Sequence, residues 1–265
     1  MSCDRFFSVG RVELEDGWEL AVDWDDHAPS PRVDEDNLGH MLTWGRRFES
    51  PDENDCDSPE EFMADMLFEH FTAEELEMYI RAHALESLEY REVAGEERLC
   101  AYVRSPWSPS NVGWAVVDDD DWWSGDVYDL ATEIAQHPDA SNILTMKVWM
   151  KPVFRLEHSG VAYSTGDFGD PWDSGQVGWI YCDREDALRY YGGEEWMPKG
   201  DLSDHVLARL DYEVERYSQW AGGEVYALTL ENAGTGDSFG PIGNVYWDER
   251  NLAELDLMRE ADIAA

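Results

Sequence analysis

Apolar and polar residues alternate from Arg11 to Asp23, with Val12 and Leu14 before Asp16-Gly17 and Trp18, Leu20 and Val22 after it. A period of two on either side of Asp-Gly predicts a β-hairpin. The period lengthens at Ser58-Pro59-Glu60-Glu61, where Ser stands at the N-cap, Pro at the first helical position and Glu at the third. Phe62, Met66 and Phe68 supply an apolar stripe for that helix. Thr72-Ala73-Glu74-Glu75 repeats the signature and predicts a second helix reaching about Glu89, with Leu76, Tyr79, Ile80, His83, Ala84 and Leu88 on its inner side. Residues 99–103 and 113–117 read as strands, 127–136 as a short helix and 143–150 as a strand.

The densest patterning lies between Pro152 and Asp183. It reads as strand, tight turn at His158-Ser159-Gly160, strand, shaped loop, and a closing strand through Val177-Gly178-Trp179-Ile180-Tyr181. A short helix from Arg184 to Tyr191 stops at Gly192-Gly193. The longest helical pattern runs from Asp201 to Trp220, with Val206, Leu210, Val214 and Tyr217 inward and Gly222-Gly223 at its end. Residues 225–230 read as a strand, 233–244 as a Gly-rich turn, 245–247 as a last strand and 248–260 as a helical tail. Strands and helices mix without a βαβ rhythm. The expectation is a single α+β domain with a largely antiparallel sheet and flanking helices, residues 90–145 being an insertion and 248–265 a C-terminal helical tail.

Charge changes the picture most. Fifty-nine acidic residues face nineteen basic ones, for a net charge of −40 over 265 residues. Only Lys147, Lys151 and Lys199 are lysines, and the acids spread through the three thirds of the chain as 24, 16 and 19. A surface evolved for one basic partner would not require lysine depletion everywhere, whereas adaptation to concentrated salt would. Such salt screens self-repulsion within about 3 Å at 1 M ionic strength. An acidic chain is also repelled by phosphate backbones and anionic lipid, so direct nucleic-acid binding is not expected. The four cysteines (Cys3, Cys56, Cys100, Cys182) form no CxxC, which fits a reducing interior and argues against a zinc ribbon or a disulfide framework. The N-terminal residues read as no signal peptide, and no apolar run is long enough to span a membrane. The expectation is a cytoplasmic protein.

Candidate chemistry is sparse. His158, Ser159, Asp173 and Ser174 supply triad residue types, but no G-x-S-x-G elbow frames either serine, and the chain has no Walker A or G-x-G-x-x-G sequence. Asp167, Asp170 and Asp173 recur every third position without an EF-hand register, and Asp23, Asp25, Asp26 and His27 cluster in a Pro-rich loop, so no metal site is assigned. Arg46-Arg47 stands out in a chain so poor in bases. It reads either as a structural ion-pairing couple or as a clamp for carboxylate or phosphate. Trp172-Asp173-Ser174-Gly175-Gln176 reads as a side-chain-capped turn packed under a tryptophan, or else as a site in which His158 and Asp173 are the catalytic candidates.

Three blocks carry a resemblance: Glu157-His158-Ser159-Gly160 with Pro171-Trp172-Asp173-Ser174-Gly175-Gln176-Val177-Gly178; Asp36, Asn37, Leu38, Gly39, Met41, Arg46, Arg47 and Phe48; and Glu213, Val214, Tyr217, Trp220, Gly223, Val225 and Tyr226. Over residues 18–70 and 150–240 the chain resembles an uncharacterised family of tailed phages and other mobile elements, here in a haloarchaeal-type form. It departs from that pattern after Asp237-Ser238, continuing Phe239-Gly240-Pro241 where the family has a Cys, Trp and Gly cluster. The resemblance brings no established activity or cofactor. It implies only an accessory protein of a mobile element. Beside it, the residues lead to the expectation of a protein that acts by binding a host or viral protein, counter-defence being one such role, with Asp36, Asn37, Arg46, Arg47, Ser159, Trp172, Ser174 and Gln176 as binding candidates. The blocks Asp36–Phe48, His158–Gln176 and Asp237–Ser238 are expected to converge on one polar-aromatic surface, with Arg46 and Arg47 facing the aspartates of the central loop. The alternative expectation is an enzyme that uses His158, Asp173 and the arginine pair on a small anionic substrate.

Overall fold

The computed structural model describes residues 9–76, 78, 85–104, 112–116, 127–135, 140–158, 160–246 and 248–261. The fold is α+β, built from antiparallel sheets with helices beside them. Its contacts gather into two compact units. The first comprises Met1–Thr43, Lys151–Ile180 and Glu185–Ala265, and the second Trp44–Met150 and Tyr181–Arg184. Residues 90–145, expected as an insertion, fall within the second unit, which already begins at Trp44.

In the first unit, β1 (Gly10–Glu13) and β2 (Trp18–Trp24) form the expected hairpin, turning through Asp16 and Gly17 at positive φ. β10 (Tyr226–Asn232) pairs with β2, and β11 (Ser238–Val245) pairs with β10. Leu20, Val22, Tyr226, Leu228, Leu230 and Val245 point to one face of this sheet, where the last helix, α7 (Arg250–Glu260), covers them with Ala253 and Leu257. The tail is therefore helical, as its pattern predicts. The stretch read as a Gly-rich turn is instead mostly β11, which continues through a cis Gly240-Pro241 bond. Its glycines and proline suit a bulged edge strand, and the register with β10 shifts twice.

The second sheet of this unit runs β3 (His40–Thr43), β9 (Ser174–Cys182), β7 (Trp149–Glu157) and β8 (Val161–Ser164). The central stretch thus adopts the predicted strand, turn, strand, loop and strand. Gly178 is required here by space, since a Cβ on it would lie 1.9 Å from the Leu42 carbonyl oxygen of β3. Residues 143–150 do not form the expected strand. α4 (Ala140–Leu144) and a turn precede β7, because Ile143 and Leu144 bury their side chains from a helix.

α5 (Arg184–Tyr191) and α6 (Leu202–Ala221) follow their patterns, with Val206, Leu210, Val214 and Tyr217 of α6 buried. α1 (Pro31–Asp34), capped by the Ser30 hydroxyl, sits within what reads as a loop and packs on α6.

In the second unit, α2 (Pro59–His70) starts at the predicted cap, where Ser58 Oγ accepts from the Glu61 N–H at 3.1 Å. It packs on α4 and on α3 (Val127–Ala135). Phe62, Met63, Ala64, Met66 and Leu67 are buried, but Phe68 is exposed and meets Tyr128 edge-on. Phe62 lies between the rings of Trp44 and Tyr181. The Thr72–Glu75 capping box forms. The helix it opens does not reach Glu89, because β4 (Leu85–Val93) begins first and pairs with β5 (Glu96–Arg104), which pairs with β6 (Val112–Val116). Leu88 is therefore a strand residue, and Tyr79, Ile80, His83 and Ala84 lie outside the described residues. No helix among the described residues is long and apolar enough to cross a membrane.

Candidate functional site

The loop joining β8 to β9 is tied down at both ends. Thr165 Oγ1 donates to Asp211 Oδ1 of α6, and Asp211 Oδ2 also receives Lys151 Nζ. At the far end the Glu157 N–H donates to the Asp173 carbonyl, closing the ladder between β7 and β9. Between these anchors the aspartates act as local caps. Asp167 Oδ1 accepts the Gly169 N–H at 2.9 Å, and Asp170 Oδ1 accepts the N–H groups of Trp172 (2.9 Å) and Asp173 (3.1 Å). Asp and Asn side chains favour such turns because they mimic the backbone carbonyl two residues on. Those two N–H groups hold the Asp170 carboxyl below the usual carboxylate range, with a smaller contribution from His158. The clip is therefore present above that range and lost only as pH falls through the lowered value. Ser174 donates its hydroxyl to the Asp170 carbonyl at 2.6 Å, and Gln176 donates to the Gly178 carbonyl. The first bond is spent on the turn and the second within β9.

His158 and Asp173, fifteen residues apart, meet at the loop's mouth with Nδ1 2.6 Å from Oδ2. The imidazole side chain is 72% exposed. A carboxylate on Nδ1 fixes the tautomer that leaves Nε2 open as a base, as in carboxylate–histidine pairs generally. Ser159 lies outside the described residues. Cysteine nucleophiles are absent from this loop. Cys182 is buried, and Cys56, in the second unit, has its thiol pushed up to about 11 by burial and by Asp65. Trp172 is not packed as the turn reading expects. It is 92% exposed, because the Asp170 clip holds its N–H while the ring projects outward.

Asp36 and Asn37 serve a different purpose. Asn37 donates to the Pro31 and Glu35 carbonyls and accepts from Arg32, bracketing α1. The Asp36 carbonyl accepts from Arg209 of α6. Beside them Glu213 of α6 receives four hydrogen bonds, from the Leu38 and Gly39 N–H groups, Arg32 and Arg209. The Arg32 and Glu213 side chains are 2% and 1% exposed. Two of the sequence blocks, around Asn37 and around Glu213, thus meet in a buried ionic cluster rather than at a surface. One turn further on, Arg216 lies over the Tyr246 ring at 3.4 Å and pairs with Glu35 and Glu249. This cluster escapes sequence reading because its partners lie some 175 positions apart and a charged helix residue in an acidic chain reads as solvated.

Arg46 and Arg47 stand in an exposed turn of the second unit, and neither makes an ion pair among the described residues. Asp237 and Ser238 line an open cleft of about 630 Å³ between the two hairpin ends of the first sheet, together with Arg11, Glu13, Glu19 and Glu231. Glu13, Glu19 and Glu231 are directly opposed across β1, β2 and β10, and Arg11 bridges the last two. Neither the His158–Gln176 loop nor the Asp36–Gly39 segment lines that cleft. In the Pro-rich loop Asp25 is spent on the N–H groups of His27 and Asn244. No group of three or more His, Cys, Asp or Glu suited to a metal ion occurs among the described residues. Comparisons with protein-family models, curated proteins and solved structures return no match to the chain.

Proposed function

We propose that this is a cytoplasmic accessory protein of a virus or integrated mobile element in a salt-rich host, acting by binding a host or viral protein. The observation that carries the binding reading is Trp172, 92% exposed on a loop whose backbone is clipped by Asp167, Asp170 and the Glu157–Asp173 ladder bond. A large aromatic held out on a pre-ordered loop loses little entropy on association, and such residues dominate interface energies. The element origin rests on the sequence blocks, and the solvent on the chain-wide acidity. The test is capture from lysate of a salt-adapted host in about 2 M KCl, where indiscriminate charge attraction is screened. Wild-type protein is expected to retain a defined partner that Trp172→Ala loses by at least about tenfold, a loss in the range of an aromatic hot spot. Equal retention by the variant contradicts the loop's role.

A second reading, an enzyme on a small anionic substrate, is favoured by the 2.6 Å contact between His158 and Asp173. It requires turnover of such a substrate that Asp173→Asn abolishes while leaving the melting midpoint in place.

A further inference from the structure

We propose that the protein forms a symmetric dimer in which β4 pairs edge to edge, antiparallel, with β4 of a second copy. The sheet order β4-β5-β6 leaves the outer edge of β4 without a strand among the described residues. Other sheet edges carry a protection that β4 lacks. β1, β3 and β8 each end after four residues and β6 after five, while β11 is broken by Pro241 and two register shifts. β4 is nine residues long, has no Pro or Lys, and pairs with β5 without interruption from Ser87 to Val93. Natural sheets shorten or bulge the edges that must not pair, or place lysine or proline on them, so a long regular edge is a template for another strand. Its outer half also outruns β6, which pairs with β5 only from Cys100 to Arg104. Tyr90 to Glu97 are all exposed there, Tyr90 to 68%, on a ribbon that turns through Ala94 and Gly95 at positive φ. A two-stranded ribbon gains little by itself and is stabilised by a further strand.

Charge selects the occupant. Directly opposed residues of an antiparallel pair share a face, so a two-fold axis normal to the sheet opposes only positions whose numbers have an even sum. The charged positions of β4 are Glu86, Glu89, Arg91 and Glu92. Centring the axis on Glu89, Arg91 or Glu92 sets like charges against each other. Centring it on Tyr90 sets Arg91 of each copy opposite position 89 of the other, a Glu, and no other such register pairs Arg91 with an acid of β4. Two opposite-charge pairs then flank a contact between the two copies of Tyr90. The strand is complementary to itself in a chain whose net charge of −40 otherwise opposes self-association. Concentrated salt screens that opposition and leaves backbone pairing in place.

The experiment is sedimentation equilibrium of the full chain in about 1 M KCl, with a circular dichroism melt of each variant as the control for folding. A monomer–dimer equilibrium is expected. Arg91→Glu sets like charges at both flanking positions and is expected to weaken the dimer at least about fivefold, the cross-strand effect counted twice. Adding Glu89→Arg to that variant exchanges the two charges and is expected to restore the wild-type affinity. Tyr90→Cys is expected to cross-link two chains on mild oxidation beyond the wild type's own level, because opposed Cα atoms lie about 4.5–5.5 Å apart. Val93→Cys, set opposite position 87, is expected not to. A monomer at every concentration overturns the proposal and leaves β4 as an edge for a strand of a different chain. A dimer that Arg91→Glu leaves unchanged also overturns it, as does one that cross-links equally through Val93→Cys. Should Arg91→Glu fail to fold, the charge exchange and the cross-link decide: loss of the dimer in the folded exchange variant, or no cross-link through Tyr90→Cys, contradicts the register.

Discussion

Glu213 accepts two backbone N–H groups and two guanidinium groups at 1% side-chain exposure, and most of the order around α1 depends on it. Buried ion pairs are costly to form but costlier to break from one side, because the remaining charge is stranded. Glu213→Gln preserves volume and leaves the buried Arg32 guanidinium facing a neutral amide. The expected destabilisation is about 3–5 kcal/mol, read as a melting midpoint lower by about 10 °C in a chain of this size. A midpoint within a degree of wild type would show that the cluster is not buried as described. At this scale the sequence was informative about types and poor about roles. It singled out His158 and Asp173, and these do meet. It also singled out Asn37 as a binding residue, where its amide is consumed in bracketing α1, and it read Trp172 as packed over the turn, where the ring projects away from it. Local spacing cannot tell an indole packed over its own loop from one projecting away, since both satisfy the same Asp-capped turn.

Elements were most legible where a cap, a turn and a periodicity agreed. The Asp16-Gly17 hairpin, the Ser58-capped α2 and the α6 stripe all satisfy that condition. Elements were lost where one cue stood alone. The Thr72 capping box correctly starts a helical turn, but a cap carries no information on length, and β4 takes over at Leu85. β11 was hidden because Gly and Pro, which usually punctuate turns, are tolerated on an edge strand beside bulges. β3 is too short to show a period, and Gly178 opposite it records its presence, being the point where the two backbones come closest. Gly178→Ala would force β9 away from β3. The expected cost is about 1–3 kcal/mol, typical of overpacking a close contact, measured by denaturant unfolding. An unchanged unfolding midpoint would mean the two strands are not so closely apposed.

The whole molecule is governed by its charge. Forty excess negative charges are spread across the chain, and among the described residues the basic side chains of Arg11, Arg32, Lys147, Lys151, Arg155, Arg189, Arg209, Arg216 and Arg259 already pair with acids of the chain, which leaves most of its fifty-nine acids without a cation. Like-charged rows such as Glu13, Glu19 and Glu231 across the first sheet add local repulsion that one arginine offsets only in part. The α+β class was legible because it depends on the mix and order of elements, whereas the division at Trp44 was not, since neither a linker composition nor a charge break marks it. On the function proposed here the acidity answers to solvent, and the Trp172 loop is the recognition surface. The most direct test is the melting midpoint followed by circular dichroism from about 3 M down to about 0.05 M KCl, over which the screening length grows from a few ångströms to more than 10 Å. The midpoint is predicted to fall steadily, with loss of ordered structure at the lowest salt, and a spectrum and midpoint unchanged across the series would contradict the account.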